Sequence, residues 1–350
     1  MTSPALLRHL AFLILLALLS AAVVRGMIAI GVQDHPDERK AHAHPTPKSG
    51  GVGIVAAFLV GIALLYRYAD FARLADPYFR GVIGASAAIA GVALLDDLFN
   101  WPFTVKLAAQ VLAALVAVGS GLYVDVYRLP YYGAVNLGLL GVPLTLAWLL
   151  FTTNAMNFID GLNGLAGGVC LIASVFLGLI AAIEGGWFVY FAAALLAAGL
   201  VGFLPFNFPR ARIFMGDVGS QFCGFVLAVL AVAAARFEGV ELSFLLVPML
   251  LSGVLFDVAF TLARRALAGD RLTEAHRGHL YQLAHRAGMD ARAVAAVHWG
   301  FAAFGGLSCL AFLHAPSPAK PLIVAAPLVP QLGWMLFVLH RARKARLDRW

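Results

Sequence analysis

Eleven long apolar runs, each about 16–25 residues, limit what this chain can fold into. A helix of roughly 20 apolar residues crosses the hydrocarbon core of a bilayer. The runs do not alternate polar and apolar residues, as the strands of a membrane barrel would. The sequence therefore predicts membrane-crossing helices at residues 6–30, 51–66, 81–95, 105–122, 137–152, 165–183, 188–204, 219–235, 244–263, 294–313 and 321–340.

The charge content leads to the same conclusion. Only 12% of the 350 residues are charged, whereas a soluble domain carries about 25%, so lipid must surround most of the chain. We expect an all-α integral membrane protein, a single polytopic domain over residues 1–350 with a bundle of about 11 transmembrane helices. The three cysteines, Cys170, Cys223 and Cys309, lie in apolar runs and have no zinc or redox spacing.

The positions of Lys and Arg predict the orientation of the bundle. With residues 33–50 counted as the first loop, 17 of the 25 Lys and Arg lie in the odd-numbered loops and the C-terminal tail. Seven lie on the other side, and Arg25 lies in the first run. Cytoplasmic loops are enriched in positive charge, so we expect a periplasmic N-terminus and a cytoplasmic C-terminus. The net charge of +7 then reflects topology, and no nucleic-acid partner is expected.

Two adjacent carboxylates, Asp96 and Asp97, end the third apolar run. Like charges at a membrane face raise a pKa or recruit a cation, and the helix dipole disfavours acids at a helix C-terminus. Carboxylate oxygens suit Mg²⁺, particularly beside phosphates. The pair is therefore a candidate functional site, with two ordinary interfacial acids as the alternative.

A polar ridge follows the fifth run. Asn154, Asn157 and Asp160 are three residues apart, so a continuing helix would place them on one face. The glycines that follow allow a ligand to approach the backbone closely. The ridge predicts a binding site, with a polar contact between helices as the alternative.

The loop before the eighth run carries Asn207, Phe214 and Asp217. Asp217 has two interpretations, because an acid just before a helix can also cap its N-terminus. Capping does not explain why four separate loops on one side of the bundle all carry carboxylates, amides or histidines. We therefore include this loop in the predicted site.

The first loop combines His42, His44 and Lys48 with several prolines that restrict the chain. Basic groups at a membrane surface can bind phosphate. A solvated loop that only sets the topology is the alternative.

The longest polar stretch, residues 264–292, is predicted to form a cytoplasmic arm rich in His and Arg. His276, Arg277 and His279 suit diphosphate binding. Zinc is the alternative, although no cysteine accompanies these histidines. Asp257, inside the ninth run, is either functional or paired across helices.

These motifs, in this order and spacing, resemble the polyprenyl-phosphate N-acetylhexosamine-1-phosphate transferases of glycosyltransferase family 4. That family includes phospho-MurNAc-pentapeptide transferase and the initiators of O-antigen synthesis. The resemblance covers most of the chain and rests on four motifs: Asp96-Asp97 with Lys106-x-x-x-Gln110, Asn154-x-x-Asn157-x-x-Asp160-Gly, Phe214-Met-Gly-Asp217-x-Gly-Ser220, and the histidine arm.

The resemblance implies a fold and a reaction. The protein would have ten or eleven transmembrane helices in the bacterial inner membrane, with the active site facing the cytoplasm. It would transfer an N-acetylhexosamine-1-phosphate from a UDP-sugar to undecaprenyl phosphate, release UMP and require Mg²⁺. Direct attack and a covalent aspartyl intermediate both stay open.

The resemblance also implies roles for the matching residues. Asp217 and Asp96 would bind Mg²⁺, and Asp97 would deprotonate or orient the lipid phosphate. Phe214 would stack on uracil. The other matching residues would face the nucleotide, the sugar or the phosphates: Asn154, Asn157, Asp160, Asn207, Lys48, Lys106, His276, Arg277 and His279.

The sequence departs from the family pattern at two points. Asn100 stands where many relatives have Asp, and the arm reads His276-Arg-Gly-His279 rather than the consecutive histidines of phospho-MurNAc-pentapeptide transferase. We therefore expect an initiator of O-antigen or another surface polysaccharide, with GlcNAc or a 6-deoxy relative such as FucNAc or QuiNAc as the sugar. The alternatives are phospho-MurNAc-pentapeptide transferase and a membrane transporter. The oligomeric state is open, a homodimer included.

Overall fold

The computed structural model describes residues 3–34, 45–68, 76–99, 101–129, 131–236, 242–271, 274 and 276–347. His42, His44 and Asn100 lie outside these residues. The described helices are α1 Ser3–Ile30, α2 Gly51–Tyr68, α3 Asp76–Phe99, α4 Phe103–Gly119, α5 Gly141–Ile159, α6 Leu165–Glu184, α7 Trp187–Asn207, α8 Gly216–Arg236, α9 Leu246–Leu250, α10 Ser252–Leu267, α11 Leu280–Arg286, α12 Ala291–His314, α13 Lys320–Ala325 and α14 Leu328–Lys344.

These helices confirm the prediction of an all-α membrane protein. Within the described ranges, nine helical segments are long and apolar enough to cross a membrane, and α4 is a shorter apolar helix. The ninth predicted run forms two helices, α9 and α10, which meet at Leu251. The eleventh forms α13 and α14, because Pro327 lacks the N–H that would continue the helix. The number of crossings and the orientation stay predictions.

Helix α8 lies at the centre of the bundle. It packs against α2, α3, α5 and α7, and its residues from Val218 to Ala234 are all buried. A helix that is apolar on all sides belongs inside a bundle rather than at its surface. The N-terminus of α8 is therefore held at the middle of one end of the bundle.

Backbone contacts assemble the connections around that end. Strands β1 (Gln33–Asp34) and β2 (Thr46–Pro47) pair antiparallel, and the chain after β2 runs beside the segment that precedes α8. Phe214 N–H donates to the Pro47 carbonyl at 2.8 Å, and Gly50 N–H donates to the Phe214 carbonyl at 2.9 Å. A Cβ on Gly51 would overlap the Cα of Gly219, so glycine at this position lets α2 and α8 touch backbone to backbone.

The opposite end of the bundle carries a β-hairpin between α4 and α5. Strands β3 (Val126–Leu129) and β4 (Gly133–Asn136) pair antiparallel. Beside them, Asp125 accepts a hydrogen bond from Arg236 Nη1 at 2.7 Å. This ion pair is remote from the polar loops that the sequence singles out.

Candidate active site

A cavity of about 610 Å³ opens where the α1–α2, α3–α4, α5–α6, α7–α8 and α10–α11 connections meet. Its volume is typical of a site for a small molecule or a nucleotide. Charged groups of both signs face it. The lining residues are Asp34, Lys48, Asp96, Asp97, Lys106, Asn157, Asp160, Gly161, Leu162, Asn163, Asn207, Phe214, Gly216, Asp217, Arg277, Tyr281, Gln282, His285 and Arg286.

The structure brings ten of the thirteen predicted site residues to this cavity. They come from five separate connections of the chain: Lys48, Asp96, Asp97, Lys106, Asn157, Asp160, Asn207, Phe214, Asp217 and Arg277. The other three, Asn154, His276 and His279, do not line it.

Asp97 lies against the N-terminus of α8. Its carboxylate accepts hydrogen bonds from the backbone N–H of Asp217 at 3.1 Å and of Val218 at 3.4 Å, and from Ser49 Oγ at 3.1 Å. The positive end of α8 compensates a carboxylate that the C-terminus of its own helix disfavours. Gly216 has a φ of +74°, and a Cβ there would lie 2.5 Å from Asp97 Oδ2, so glycine is required for this close approach.

The sequence left Asp217 as a candidate cap of α8, and the structure gives that capping role to Asp97. Asp217 instead lies in the first turn of α8 and points its carboxylate at neighbouring helices. Its side chain is 26% exposed, whereas Asp97 is only 5% exposed. Asp217 is therefore the more accessible of these two acids to a bound cation.

Lys106 joins the acids of two helices. Its Nζ forms an ion pair with Asp96 Oδ2 and another with Asp217 Oδ2, the latter at 3.0 Å. Asn157 Nδ2 donates to Asp217 Oδ1 at 3.0 Å and to Ser220 Oγ at 2.9 Å. Helices α3, α4, α5 and α8 are thus tied together at one carboxylate.

Asp160 and Asn207 shape the α5–α6 side of the cavity. Burial, together with the negative charges of Asp217 and Asp97, raises the pKa of the Asp160 carboxyl well above its usual range. Asn207 accepts a hydrogen bond from Gly164 N–H at 2.7 Å and donates to the Ile213 carbonyl at 3.0 Å. It therefore fixes the turn after Asp160 to the loop that carries Phe214.

The arm is anchored by Asp257 of α10. Its carboxylate accepts the backbone N–H groups of Leu280 and Tyr281, each at 3.0 Å, and lies 3.0 Å from His279 Nδ1. This acid pairs across elements, as one of its two sequence interpretations proposed. It also caps α11 through the two backbone N–H groups, which the sequence did not predict. Arg265, also on α10, donates to the Arg271 and Glu274 carbonyls.

His279 therefore does not line the cavity. It is 3% exposed and is held by Asp257. His276 stacks on His279 with ring centroids 4.9 Å apart, and its Nδ1 accepts the Gly278 N–H at 3.2 Å. Burial and the nearby positive groups lower the pKa of His276 to about 4, so near neutral pH it is uncharged.

Helix α11 supplies two site residues to which the sequence interpretation gave no role, Tyr281 and Gln282, and two that it included in the His/Arg arm, His285 and Arg286. Tyr281, Gln282, His285 and Arg286 all line the cavity. Residues four apart lie on one face of a helix. The spacing of 281 with 285 and of 282 with 286 could therefore have indicated that these side chains face the site together. The stretch is only seven residues long, which is too short for an apolar pattern to show its inner face.

We expect Asp257→Ala to loosen the arm. Three donors of the arm and the Thr261 hydroxyl would lose their buried acceptor, so the free energy of unfolding should fall by about 3–5 kcal/mol. Limited trypsin digestion should then cut faster at Arg277 and Arg286. The matched control is Asp270→Ala, because Asp270 has an exposed side chain that pairs loosely with Arg265 at 3.6 Å. Equal melting temperatures and cleavage rates for the two variants would contradict the anchoring role.

Comparison with known proteins adds independent findings. A model of the family described as glycosyl transferase family 4 matches residues 79–235. The chain is 31% identical over 271 residues to a probable undecaprenyl-phosphate N-acetylglucosaminyl 1-phosphate transferase of Bacillus subtilis (strain 168), covering 77% of this chain and 74% of that protein.

Two further relatives cover different shares of the chain. Decaprenyl-phosphate N-acetylglucosaminephosphotransferase of Mycobacterium tuberculosis (strain ATCC 25618 / H37Rv) is 32% identical over 341 residues, covering 89% of this chain and 83% of that protein. Phospho-N-acetylmuramoyl-pentapeptide-transferase of Acetivibrio thermocellus is 43% identical over 108 residues, covering 30% of this chain and 33% of that protein.

Proposed function

This chain belongs to glycosyl transferase family 4, and on that premise we propose that it transfers an N-acetylhexosamine-1-phosphate from a UDP-sugar to undecaprenyl phosphate. A phosphate oxygen of the lipid attacks the phosphorus that bears the sugar. The bond from that phosphorus to the bridging oxygen breaks, and UMP leaves with the electron pair. The product is a polyprenyl diphosphate sugar.

One observation carries this proposal: carboxylates and cations of five connections meet in a single cavity at one end of a membrane bundle. Phosphoryl transfer depends mainly on positioning and on neutralisation of charge. A cavity at the membrane face can receive a water-soluble nucleotide from one side and a lipid phosphate from the other. A transporter would place its polar site near the bilayer midplane instead.

The lining residues divide into groups that suit the two substrates. Phe214, Asn157 and Asp160 line the cavity; Phe214 would stack on uracil, and Asn157 and Asp160 would contact the sugar phosphate. Lys48, Arg277, His285 and Arg286 also line the cavity, and they would donate hydrogen bonds to the phosphates. Asp97 would orient the lipid phosphate or accept its proton.

The donor set also suits Mg²⁺. Among the described residues no three His, Cys, Asp or Glu side chains converge on one metal position. Magnesium is however usually held by one or two carboxylates together with substrate phosphates and water. Asp217 and Asp96 share the Lys106 ammonium, so this position already stabilises positive charge. These two acids would hold the ion, which would neutralise the phosphate charge.

We propose GlcNAc as the sugar, because the relatives that cover most of the chain carry N-acetylglucosamine in their names. FucNAc and QuiNAc remain candidate sugars, and MurNAc-pentapeptide is the rival donor group within the family. The reaction would be the first membrane step of O-antigen or another surface polysaccharide. It would take place on the cytoplasmic side of the bacterial inner membrane.

The test is UMP release by the purified protein in detergent with undecaprenyl phosphate and a panel of UDP-sugars. We expect lipid-dependent UMP from UDP-GlcNAc. EDTA should stop the reaction and excess Mg²⁺ should restore it, because the substrate's diphosphate needs the cation to approach Asp217. Full activity in EDTA would contradict the metal proposal, and no UMP from any donor would contradict the reaction.

A further inference from the structure

Three side-chain amides, two of them buried, form a chain that ends on Asp217. Asn154 Nδ2 donates to Gln110 Oε1 at 2.7 Å, Gln110 Nε2 donates to Gln221 Oε1 at 3.0 Å, and Gln221 Nε2 donates to Asp217 Oδ2 at 3.1 Å. Gln110 and Gln221 are each 4% exposed. We call Asn154, Gln110 and Gln221 the amide relay.

The groups at the two ends of the amide relay decide how Gln110 and Gln221 are oriented. At one end Asn154 Nδ2 also donates to the Leu150 carbonyl at 2.8 Å, and a carbonyl oxygen can only accept. At the other end an ionised Asp217 can likewise only accept. Gln221 and Gln110 must therefore each direct their NH₂ group toward Asp217. Asn154 and Gln110 face each other as a reciprocal amide pair, because Gln110 Nε2 also donates to Asn154 Oδ1 at 3.4 Å.

This shared direction has an electrostatic consequence. Hydrogen bonds that run in one direction through a buried chain polarise one another and strengthen the last bond. The last bond here restrains the same oxygen, Asp217 Oδ2, that pairs with Lys106. The relay also crosses three helices, because Gln110 lies on α4, Asn154 on α5 and Gln221 on α8.

We propose that Gln110 and Gln221 are positioning residues that hold the Asp217 carboxylate in the rotamer needed for Mg²⁺ and nucleotide. This inference rests on the proposed function, in which Asp217 binds the metal. Gln110 reaches Asp217 only through Gln221. Neither glutamine lines the cavity, so both act through Asp217.

The variants are Gln221→Met, Gln110→Met and the double variant, with Gln331→Met as the matched control. Gln331 is 1% exposed and donates to Ser252 Oγ at 2.9 Å, between α10 and α14. Methionine keeps the length of the side chain but removes its amide. The first readout is the melting temperature in UMP as MgCl₂ is raised, and the second is kcat and KM for UMP release.

Each relay variant should raise the MgCl₂ midpoint of the thermal shift at least about fivefold. The value of kcat should fall about 10- to 100-fold, because displacing a reacting group by about 1 Å can cost 10²-fold. The KM for undecaprenyl phosphate should stay within about twofold. Gln331→Met should lower the melting temperature and leave the MgCl₂ midpoint and kcat unchanged.

The double variant separates positioning from stability. Removing both partners of a buried hydrogen bond costs less stability than removing one. The melting temperature of the double variant should therefore be higher than that of the less stable single variant. Its MgCl₂ midpoint and kcat should stay impaired. A double variant with the wild-type MgCl₂ midpoint and the wild-type kcat would overturn the relay. Wild-type values of these two quantities in each of the single variants would also overturn it.

The same experiment distinguishes failure of the relay from failure of the proposed function. Mg²⁺ could stabilise the wild-type protein in the presence of UMP although the protein turns over no UDP-sugar. That result would contradict the proposed reaction, and the MgCl₂ midpoints of the variants would still test the relay. If Mg²⁺ does not change the melting temperature of the wild-type protein in the presence of UMP, the relay is overturned. There would then be no metal site for the relay to orient.

Discussion

Asp217→Asn should reduce UMP release at least about 10³-fold, which corresponds to roughly 4 kcal/mol of transition-state stabilisation. The substitution removes the negative charge that pairs with Lys106 and would bind Mg²⁺. The fold should persist, because Lys106 keeps its ion pair with Asp96 and the Asp217 side chain is partly exposed. The measurement is kcat in detergent together with the melting temperature.

The control for this variant is Asp125→Asn. Asp125 is the acid at the opposite end of the bundle, where it pairs with Arg236. It should lose little stability and no activity. If Asp217→Asn kept more than about a tenth of the wild-type rate, Asp217 would have no essential part in the reaction.

Asp97→Asn should reduce activity about 10²- to 10³-fold while the protein stays folded. The structure gives Asp97 a capping role at α8, so a loss of activity could also follow from a loss of structure. Asparagine is as good an N-cap as aspartate, and its Oδ1 can still accept the Asp217 N–H. The substitution therefore removes the charge and keeps most of the cap.

The comparison variant at this position is Asp97→Ala, which removes both the cap and the charge. It should lower the free energy of unfolding by about 0.5–2 kcal/mol relative to Asp97→Asn. In the Asn variant, activity should therefore fall while the melting temperature stays close to the wild-type value. In the Ala variant, both should fall. A nearly active Asp97→Asn protein would restrict Asp97 to capping α8.

The helices could be predicted from the sequence because their signal is local. A run of apolar residues that is long enough to cross a bilayer has few alternative structures in lipid. The breaks inside the ninth and eleventh runs were less visible. Pro327 marks one of them, whereas the sequence around Leu251 remains apolar across the α9–α10 junction.

The cavity was largely predictable because alternate loops of a membrane bundle share one face. Lys48, Lys106, Asp160 and Asp217 are far apart in the chain, yet each lies in a connection or helix end on that face. Which side chains point inward depends on packing that no local pattern encodes. His279 was assigned to phosphate on its residue type, and its burial against Asp257 became visible only in three dimensions.

The relay shows a second limit of sequence interpretation. Gln110 lies four residues after Lys106 and Gln221 four residues after Asp217, but 111 residues separate the two glutamines and nothing in the sequence connects them. Only Gln110 belongs to a quoted motif, where it received no role. Their significance follows from donor and acceptor directions, which depend on three helices meeting at one carboxylate.

The most direct test of the account follows one phosphorus atom. UDP-GlcNAc labelled with ³²P at the phosphate that bears the sugar is incubated with the protein, Mg²⁺ and undecaprenyl phosphate, and the lipid and water phases are separated. Transfer of sugar-1-phosphate predicts label in the lipid phase, with one unlabelled UMP released per labelled lipid. Label that stays in water as UDP while the sugar enters the lipid would show transfer of the sugar alone and contradict the account.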